Sequence, residues 1–194
     1  MGQTKVPDWD EYFLAVAKTI AFKSKDTKCQ VGAVVVSPDR LIVSTGFNGL
    51  ARGVYDDEDL LKDIDEKLKW ICHAEFNAIV NAARVGVALK GCEIFVTKFP
   101  CLNCCNAIVQ VGIQRVYTHD NSYWSDDPAD KEHTRKKPLL KQGGVTVDAP
   151  FHPDFRPTPF ALLTPFQPYT LKAEDTSVHS RTIAPAVSDD HMAT

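Results

Sequence analysis

Residues 73–75 read His-Ala-Glu, residues 100–104 read Pro-Cys-Leu-Asn-Cys, and each stretch stands where a predicted helix begins. Together they offer the imidazole of His73 and the thiols of Cys101 and Cys104. Zinc binds these ligand types, and three protein ligands leave its fourth tetrahedral position open, as in catalytic rather than structural sites. The two stretches therefore predict a catalytic zinc site built at the starts of two helices.

A helix start is a favourable place for thiolate ligands. Cys101 and Cys104 are three residues apart, so a helix presents them on one side, and the helix dipole lowers the pKa of a thiol in the first turn. The charge of two thiolates offsets the repulsion between a metal cation and two helix N-termini. Glu75, two residues after His73, is not needed as a ligand and can instead transfer protons. His-x-Glu followed by Pro-Cys-x-x-Cys is the known signature of zinc deaminases. The set therefore predicts hydrolytic deamination, in which water attacks the amidine carbon of an aminated heterocycle and ammonia leaves.

Two other interpretations of the cysteines stay open at this point. The Cys-x-x-Cys spacing also occurs in redox pairs, although a redox pair does not explain the His-x-Glu upstream. Alternatively, Cys72 or Cys105 could complete a closed structural zinc site, but each adjoins an assigned ligand, and neighbours on a helix point about 100° apart. We expect the four remaining cysteines to be buried apolar thiols, namely Cys29, Cys72, Cys92 and Cys105.

Hydrophobic periodicity places these stretches in an alternation of helices and strands. Helices are predicted over residues 9–23, 71–85, 100–111 and within 126–142, where Pro138 interrupts or starts the last one. Strands are predicted over residues 30–36, 41–45, 93–97, 113–118 and 145–147, the first two as an antiparallel hairpin. This order predicts an α/β fold in which helices cover both faces of one central sheet.

Two segments lie outside this pattern. Residues 54–70 are acidic at one end and predict a short surface helix, with a lid over the site as an alternative. Residues 150–194 hold seven of the twelve prolines and show no persistent period. We expect them to form an extended tail whose last residues, about 15 of them, are disordered. The predicted organisation is therefore a catalytic domain over residues 1–149 followed by this tail.

The composition excludes several classes of protein. Of the 194 residues, 44% are hydrophobic, which is enough for one domain with a core. A net charge of −3 argues against a nucleic acid as partner. Six cysteines, three of them bunched together, do not resemble a secreted disulfide framework. Because no apolar run is long enough to cross a bilayer, we expect a cytoplasmic protein that does not contact membranes.

The motifs resemble those of the cytidine and deoxycytidylate deaminase family, most closely its deoxycytidylate branch. The resemblance covers residues 9–147 and rests on residues 24–26 (SKD), 30–33 (QVGA), 46–49 (GFNG), 73–79 (HAEFNAI) and 100–104 (PCLNC). It implies a three-layer α/β/α cytidine deaminase-like fold with a central mixed five-stranded sheet, and Zn²⁺ as cofactor. It also implies a homo-oligomer, for example a hexamer.

The resemblance implies roles for individual residues as well. The implied zinc ligands are His73, Cys101 and Cys104, with Glu75 as the proton shuttle. The implied substrate contacts are a hydrogen bond from Asn48 to the sugar, a contact of the Ala74 backbone with the base carbonyl, and stacking of Tyr123 on the pyrimidine.

Two further sites concern phosphate groups. Ser24 and Lys25, in the loop before the first strand, are our candidates for binding the substrate phosphate, with an ordinary exposed loop as the alternative. Arg84 lies nine residues after Glu75 on the same predicted helix, far from the zinc site. Some family members have an arginine there and bind a regulatory deoxynucleoside triphosphate, dCTP or dTTP, between subunits. An ordinary surface ion pair is the alternative for this residue.

These inferences converge on a zinc-dependent hydrolase that converts a cytosine nucleotide, dCMP, to dUMP and ammonia. The alternative is a deaminase of the same fold that acts on a nucleoside, a guanine-type base or a modified cytosine nucleotide. A polynucleotide-editing deaminase would need a basic groove or a stacking platform, which the net charge of −3 disfavours. A catalytically silent binding subunit would have no use for Glu75.

Overall fold

A computed structural model of the protein describes residues 6–26, 28–55, 62–120 and 133–150. The elements in chain order are α1 (Trp9–Ala21), β1 (Gly32–Val36), β2 (Ile42–Phe47), β3 (Gly49–Leu50), α2 (Ile64–Trp70), β4 (Ile71–Cys72), α3 (Ala74–Arg84), β5 (Glu93–Val96), α4 (Leu102–Gln110), β6 (Arg115–Tyr117), α5 (His133–Gln142) and β7 (Thr146–Asp148). The first helix, the helix after residue 100 and the five predicted strands are found with their ends displaced by at most two residues.

Five of the strands form one mixed sheet in the order β2-β1-β5-β6-β7. β1 pairs antiparallel with both β2 and β5, whereas β5 pairs parallel with β6, and β6 with β7. All five residues of β1 are buried, as expected for a strand covered on both faces. The predicted hairpin and the predicted mixed five-stranded sheet are therefore confirmed.

Helices cover both faces of this sheet. On one face, Phe13 and Leu14 of α1 share an apolar core with Val34 of β1. On the other face, residues of α3, α4 and α5 share a second core with the neighbouring strand residue, Val35. Val34 and Val35 belong to different cores because successive side chains of a strand point to opposite faces. The arrangement confirms the predicted three layers, with α1 on one side and α3, α4 and α5 on the other.

Small residues let α3 lie very close to the sheet. A Cβ atom on Gly46 of β2 would stand 2.2 Å from the carbonyl oxygen of Ala74 and 2.4 Å from the amide nitrogen of Ala78. Ala74, Ala78 and Ala82 are fully buried. Their four-residue spacing predicts such a packing face, and Gly46 completes it from the side of the sheet.

Side-chain hydrogen bonds fasten the same helix to β2. Ser44 Oγ donates to the carbonyl oxygen of Ala78 at 2.6 Å, and Asn77 Nδ2 donates to the carbonyl oxygen of Phe47 at 2.8 Å. The helix that follows His73 is thus held in place by backbone contact and by directional bonds together.

Arg115, the first residue of β6, links four elements through ion pairs. Its guanidinium contacts Asp10 of α1 at 2.6 Å, Glu93 of β5 at 3.0 Å and Asp148 of β7 at 2.5 Å. The three carboxylates raise the pKa of Arg115, Asp10 most strongly, whereas partial burial of the guanidinium acts to lower it. This cluster lies where β5 and β6 begin, whereas Cys101 follows the end of β5.

Residues 71–85 do not form one helix. Ile71–Cys72 is strand β4, which pairs antiparallel with Gly49–Leu50. His73 is extended, with φ −71° and ψ 157°, and α3 begins only at the next residue. The helix prediction is therefore wrong for residues 71–73, because pairing with a segment distant in sequence overrides the local hydrophobic period.

The prediction that Pro138 interrupts or starts the last helix is also wrong. Pro138 lies inside α5, which continues to Gln142. Leu140 in the last turn is fully buried in the core, so tertiary packing holds a helix that the proline alone would disfavour. The short surface helix predicted within residues 54–70 is found as α2.

Several predictions fall on residues outside the described ranges. These are the stacking aromatic Tyr123, the proline-rich tail over residues 151–194, and residues 56–61 of the acidic segment. The division into a domain over residues 1–149 and a tail therefore stays a prediction. Across the ranges that are described, no helix combines the length and the apolar character needed to cross a membrane.

Candidate active site

His73, Cys101 and Cys104 come together where two helices begin. His73 is the N-cap residue of α3 and Cys101 that of α4, and neither side chain caps its own helix. His73 Nδ1 lies 3.2 Å from Cys101 Sγ and 3.6 Å from Cys104 Sγ. All three ligand atoms lie within 4.8 Å of one another. The structure thus brings together the three residues that the sequence predicts as zinc ligands.

These distances fit a tetrahedral zinc site. With Zn–N near 2.1 Å and Zn–S near 2.3 Å, tetrahedral angles place nitrogen and sulfur about 3.6 Å apart. The separations of 3.2 Å and 3.6 Å from His73 Nδ1 to the two sulfurs lie close to that value. The imidazole and the two thiols therefore match zinc in ligand type and in spacing.

The cluster has three ligands rather than four. Within the described part of the chain, which includes all six cysteines, neither Cys72 nor Cys105 belongs to the cluster. The Cys105 thiol faces the carbonyl oxygen of Pro100 instead, at 3.8 Å. This composition favours an open, catalytic site over a closed structural one.

Hydrogen bonds among the three ligand side chains shift their pKa values. The bond between the two thiols lowers the pKa of Cys101 and raises that of Cys104. The hydrogen bond to Cys101 raises the pKa of the His73 imidazole. Metals bind cysteine as the thiolate, so the lowered pKa of Cys101 favours the ligand form of that side chain.

Glu75 lies in the first turn of α3, beside the cluster. This residue is only 4% exposed. Burial raises the pKa of the Glu75 carboxyl to about 7, although a backbone hydrogen bond and the nearby His73 both act to lower it. Such a carboxyl has both protonation states accessible near neutral pH, which suits a group that accepts and releases protons.

A hydrogen bond absent from the sequence-based predictions supports the loop that carries Cys101. The backbone N–H of Phe99 donates to Asp120 Oδ2 at 2.8 Å, and the backbone N–H of Asp120 donates to Thr118 Oγ1 at 3.0 Å. Thr118 is fully buried. The bonds connect the segments that follow β5 and β6, and the sequence spacing carries no signal of this pairing.

Asn48 is buried and holds the segment that precedes β1. Its Oδ1 accepts a hydrogen bond from the backbone N–H of Val31 at 2.7 Å, and its Nδ2 donates to the carbonyl oxygen of Cys29 at 2.8 Å. A side-chain amide has two N–H groups and two acceptor lone pairs, so these bonds use half of its capacity. The predicted hydrogen bond from Asn48 to the sugar stays a prediction.

Ser24 is buried next to Asn48 rather than exposed on a loop. Its hydroxyl donates to the carbonyl oxygen of Asn48 at 2.7 Å and accepts from the backbone N–H of Asp26 at 3.2 Å. The hydroxyl proton of Ser24 is therefore used in a hydrogen bond within the protein. Lys25, which follows, is exposed. The phosphate contacts of both residues stay predictions, and the structure adds a supporting role of Ser24 toward Asn48.

The remaining predicted residues lie on or beyond α3. Ala74 is its first residue, fully buried between His73 and Glu75. Arg84 is its exposed last residue. Nine residues at 1.5 Å each place Arg84 about 13.5 Å along the helix axis from Glu75, which agrees with the expectation that it lies away from the cluster.

The cysteines outside the cluster fall into two groups. Cys92 and Cys105 are buried, as predicted, whereas Cys29 and Cys72 are only half-buried, so the prediction is wrong for these two. Cys72 lies in the two-residue strand β4, and the Cys29 thiol accepts a hydrogen bond from Lys98 Nζ at 3.7 Å. All cysteine thiols have the same apolar character. The strands and loops around each cysteine therefore determine how exposed it is.

Comparison with known proteins places this site in a family. Residues 7–120 match the cytidine and deoxycytidylate deaminase zinc-binding region. The deoxycytidylate deaminases of Homo sapiens and Pongo abelii are each 39% identical to this chain over 144 residues, which is 72% of this chain and 78% of theirs.

A solved structure agrees with the sequence comparison. The dCMP deaminase of the cyanophage S-TIM5, in complex with dCMP and dUMP, has a TM-score of 0.57 and 27% identity to this chain. The similarity covers 76% of this chain and 100% of the phage chain. The zinc-binding region over residues 7–120 includes the cluster of His73, Cys101 and Cys104. The chain therefore belongs to the cytidine and deoxycytidylate deaminase family, whose members are zinc-dependent hydrolytic deaminases.

Proposed function

We propose that this protein converts dCMP and water to dUMP and ammonia. The observation that carries the proposal is the meeting of a three-ligand cluster, His73, Cys101 and Cys104, with the buried carboxyl of Glu75. The relatives named deoxycytidylate deaminase, and the phage enzyme in complex with dCMP and dUMP, support dCMP as the substrate.

The reaction replaces the 4-amino group of cytosine with the oxygen of water. His73, Cys101 and Cys104 would hold zinc, which would supply Lewis-acid activation of water at neutral pH. Glu75 accepts a proton from the attacking water and passes it to N3 of the ring. It then carries the second proton to the amino group, so that ammonia leaves as the C4–N bond breaks. The carboxyl ends each cycle in the state in which it began.

Five residues would bind the substrate. Asn48 would bind the sugar with the side-chain N–H group and the oxygen lone pair that do not bond to Cys29 and Val31. The Ala74 backbone would contact the base carbonyl. Tyr123 would stack on the pyrimidine. Lys25 would attract the phosphate as a point charge, with Ser24 as a neutral donor after a change of hydrogen-bond partner.

We also infer a homo-oligomer, with a hexamer as the expected form. Phe76 and Val80, one turn apart on α3, are 46% and 37% exposed, and a neighbouring subunit would remove them from water. Effectors such as dCTP or dTTP would bind between subunits near Arg84. The six cysteines are free thiols, which suits a reducing cytoplasmic compartment.

The test is ammonia release by the zinc-loaded protein from dCMP, CMP, deoxycytidine, cytosine and guanine at equal concentration. We expect dCMP to be preferred over deoxycytidine, since only dCMP offers a phosphate. A preference for a nucleoside or for guanine would instead support the second candidate, a deaminase of the same fold with another substrate. Failure to release ammonia from any compound would refute the proposed reaction.

A further inference from the structure

A buried ion pair joins α2 to the loop before β1. Lys67 Nζ lies 2.9 Å from Asp26 Oδ2, and the two side chains are 8% and 6% exposed. Lys67 is the buried residue of α2, whereas Ile64 and Leu68 are exposed. A surface helix ordinarily turns its apolar side chains toward the core. In α2 a charged side chain takes that place.

Asp26 uses its other carboxylate oxygen to shape the loop. Oδ1 accepts hydrogen bonds from the backbone N–H groups of Lys28 at 3.1 Å and of Cys29 at 3.2 Å. Both oxygens of Asp26 thus have partners inside the protein. The ion pair with Lys67 therefore orients the backbone of the loop as well as the carboxylate.

The same loop determines where Asn48 lies. Ser24, two residues before Asp26, donates to the carbonyl oxygen of Asn48. Cys29, three residues after Asp26, accepts from the Asn48 side chain. A change in the position of Asp26 would therefore be transmitted to Asn48 from both ends of the loop.

Lys67, the other partner of the ion pair, lies on the segment that leads to His73 of the metal cluster. α2 ends at Trp70, strand β4 follows, and His73 is the next residue. The ion pair therefore connects the approach to His73 with the loop that holds Asn48. Replacing a buried ion pair by apolar side chains of similar volume is often neutral or stabilising, so folding stability alone does not account for this one.

We propose that Asp26 and Lys67 are positioning residues that hold Asn48 at the separation from His73 and Glu75 that a nucleotide requires. This inference rests on the proposed function, because it concerns the binding of dCMP and of its product dUMP. The pair acts through Asn48 and touches no reacting atom. Its loss should therefore weaken nucleotide binding more than it slows the chemical step.

The experiment separates positioning from stability with three variants. Lys67→Met leaves Asp26 buried without its cation. The double variant Asp26→Asn, Lys67→Met removes both charges but keeps a side-chain oxygen for the loop N–H groups. Lys69→Met is the matched control, since it makes the same substitution on α2 at an exposed ion pair with Glu66 at 2.6 Å. Each protein is measured for melting temperature, zinc content, Kd for dUMP by calorimetry, and kcat and KM for dCMP.

We expect Lys67→Met to raise the Kd for dUMP and the KM for dCMP about tenfold while kcat changes less than about threefold. Lys69→Met should match the unmodified protein. The double variant should recover the melting temperature of the unmodified protein but retain the raised Kd for dUMP. If Lys67→Met does not fold, the double variant alone tests the proposal. Recovery of both melting temperature and binding in the double variant would overturn the proposal.

The failure of this inference differs from the failure of the proposed function. An unmodified protein that neither binds dUMP nor deaminates dCMP would refute both. Normal nucleotide binding by the unmodified protein and by the double variant would refute the positioning role alone.

Discussion

One added methyl group at Gly46 should disable this enzyme. Gly46 lies on β2, where the backbone of α3 rests directly on the strand. The change Gly46→Ala places a Cβ atom 2.2 Å from the carbonyl oxygen of Ala74. Because the atom it meets belongs to the helix backbone, no side-chain rotation relieves the contact, and α3 and β2 must move apart.

The size of the effect follows from that distance. Real Cβ contacts are essentially never under 3.0 Å, so the separation between strand and helix must grow by at least 3.0 − 2.2 = 0.8 Å. Overpacking of this kind costs about 3 kcal/mol of unfolding free energy, or roughly 10 °C in melting temperature for a domain of this size. Since α3 begins next to His73 and carries Glu75, a shift approaching 1 Å should lower kcat/KM on the order of 100-fold.

Thermal unfolding, zinc content and ammonia release from dCMP measure these effects together. Gly49→Ala is the matched control, because its Cβ would make an ordinary contact of 3.5 Å with the Phe47 ring. We expect the control to retain the melting temperature and the activity of the unmodified protein. A Gly46→Ala protein that melts within about 3 °C of the original and keeps roughly a third or more of its kcat/KM would refute this reasoning.

Three further substitutions test the site and the fold. Glu75→Gln should retain zinc by metal analysis while ammonia release falls about 10²- to 10⁴-fold, since the amide cannot shuttle protons; full activity would contradict this role. Cys104→Ser should lower the zinc content, because it replaces a thiolate ligand with a hydroxyl; an unchanged zinc stoichiometry would exclude Cys104 as a ligand. Arg115→Met should lower the unfolding free energy in urea by about 2 kcal/mol, because Asp10, Glu93 and Asp148 lose their shared cation. Its KM for dCMP should not change, and a raised KM at unchanged stability would contradict the separation of the two sites.

Local patterns in the sequence predicted most of the fold and the metal cluster. The period of α1 and the alternating order of helices and strands depend on residues a few positions apart, so they can be read without the structure. The spacing of Cys101 and Cys104 within one turn, and the presence of Glu75 two residues after His73, are equally local. Ligand type and spacing were therefore enough to predict the metal, and the known zinc deaminase signature that these residues form indicated the reaction class.

Tertiary structure decided what depends on segments distant in sequence. Strand β4 exists because Ile71–Cys72 meets Gly49–Leu50, although the local period predicts helix. Lys67 is buried because Asp26, 41 residues earlier, supplies its counter-charge. The Ser24 hydroxyl faces Asn48 rather than solvent. In each case a non-local contact outweighs a local preference of the order of 1 kcal/mol or less per residue, and no spacing in the sequence records which distant groups will meet.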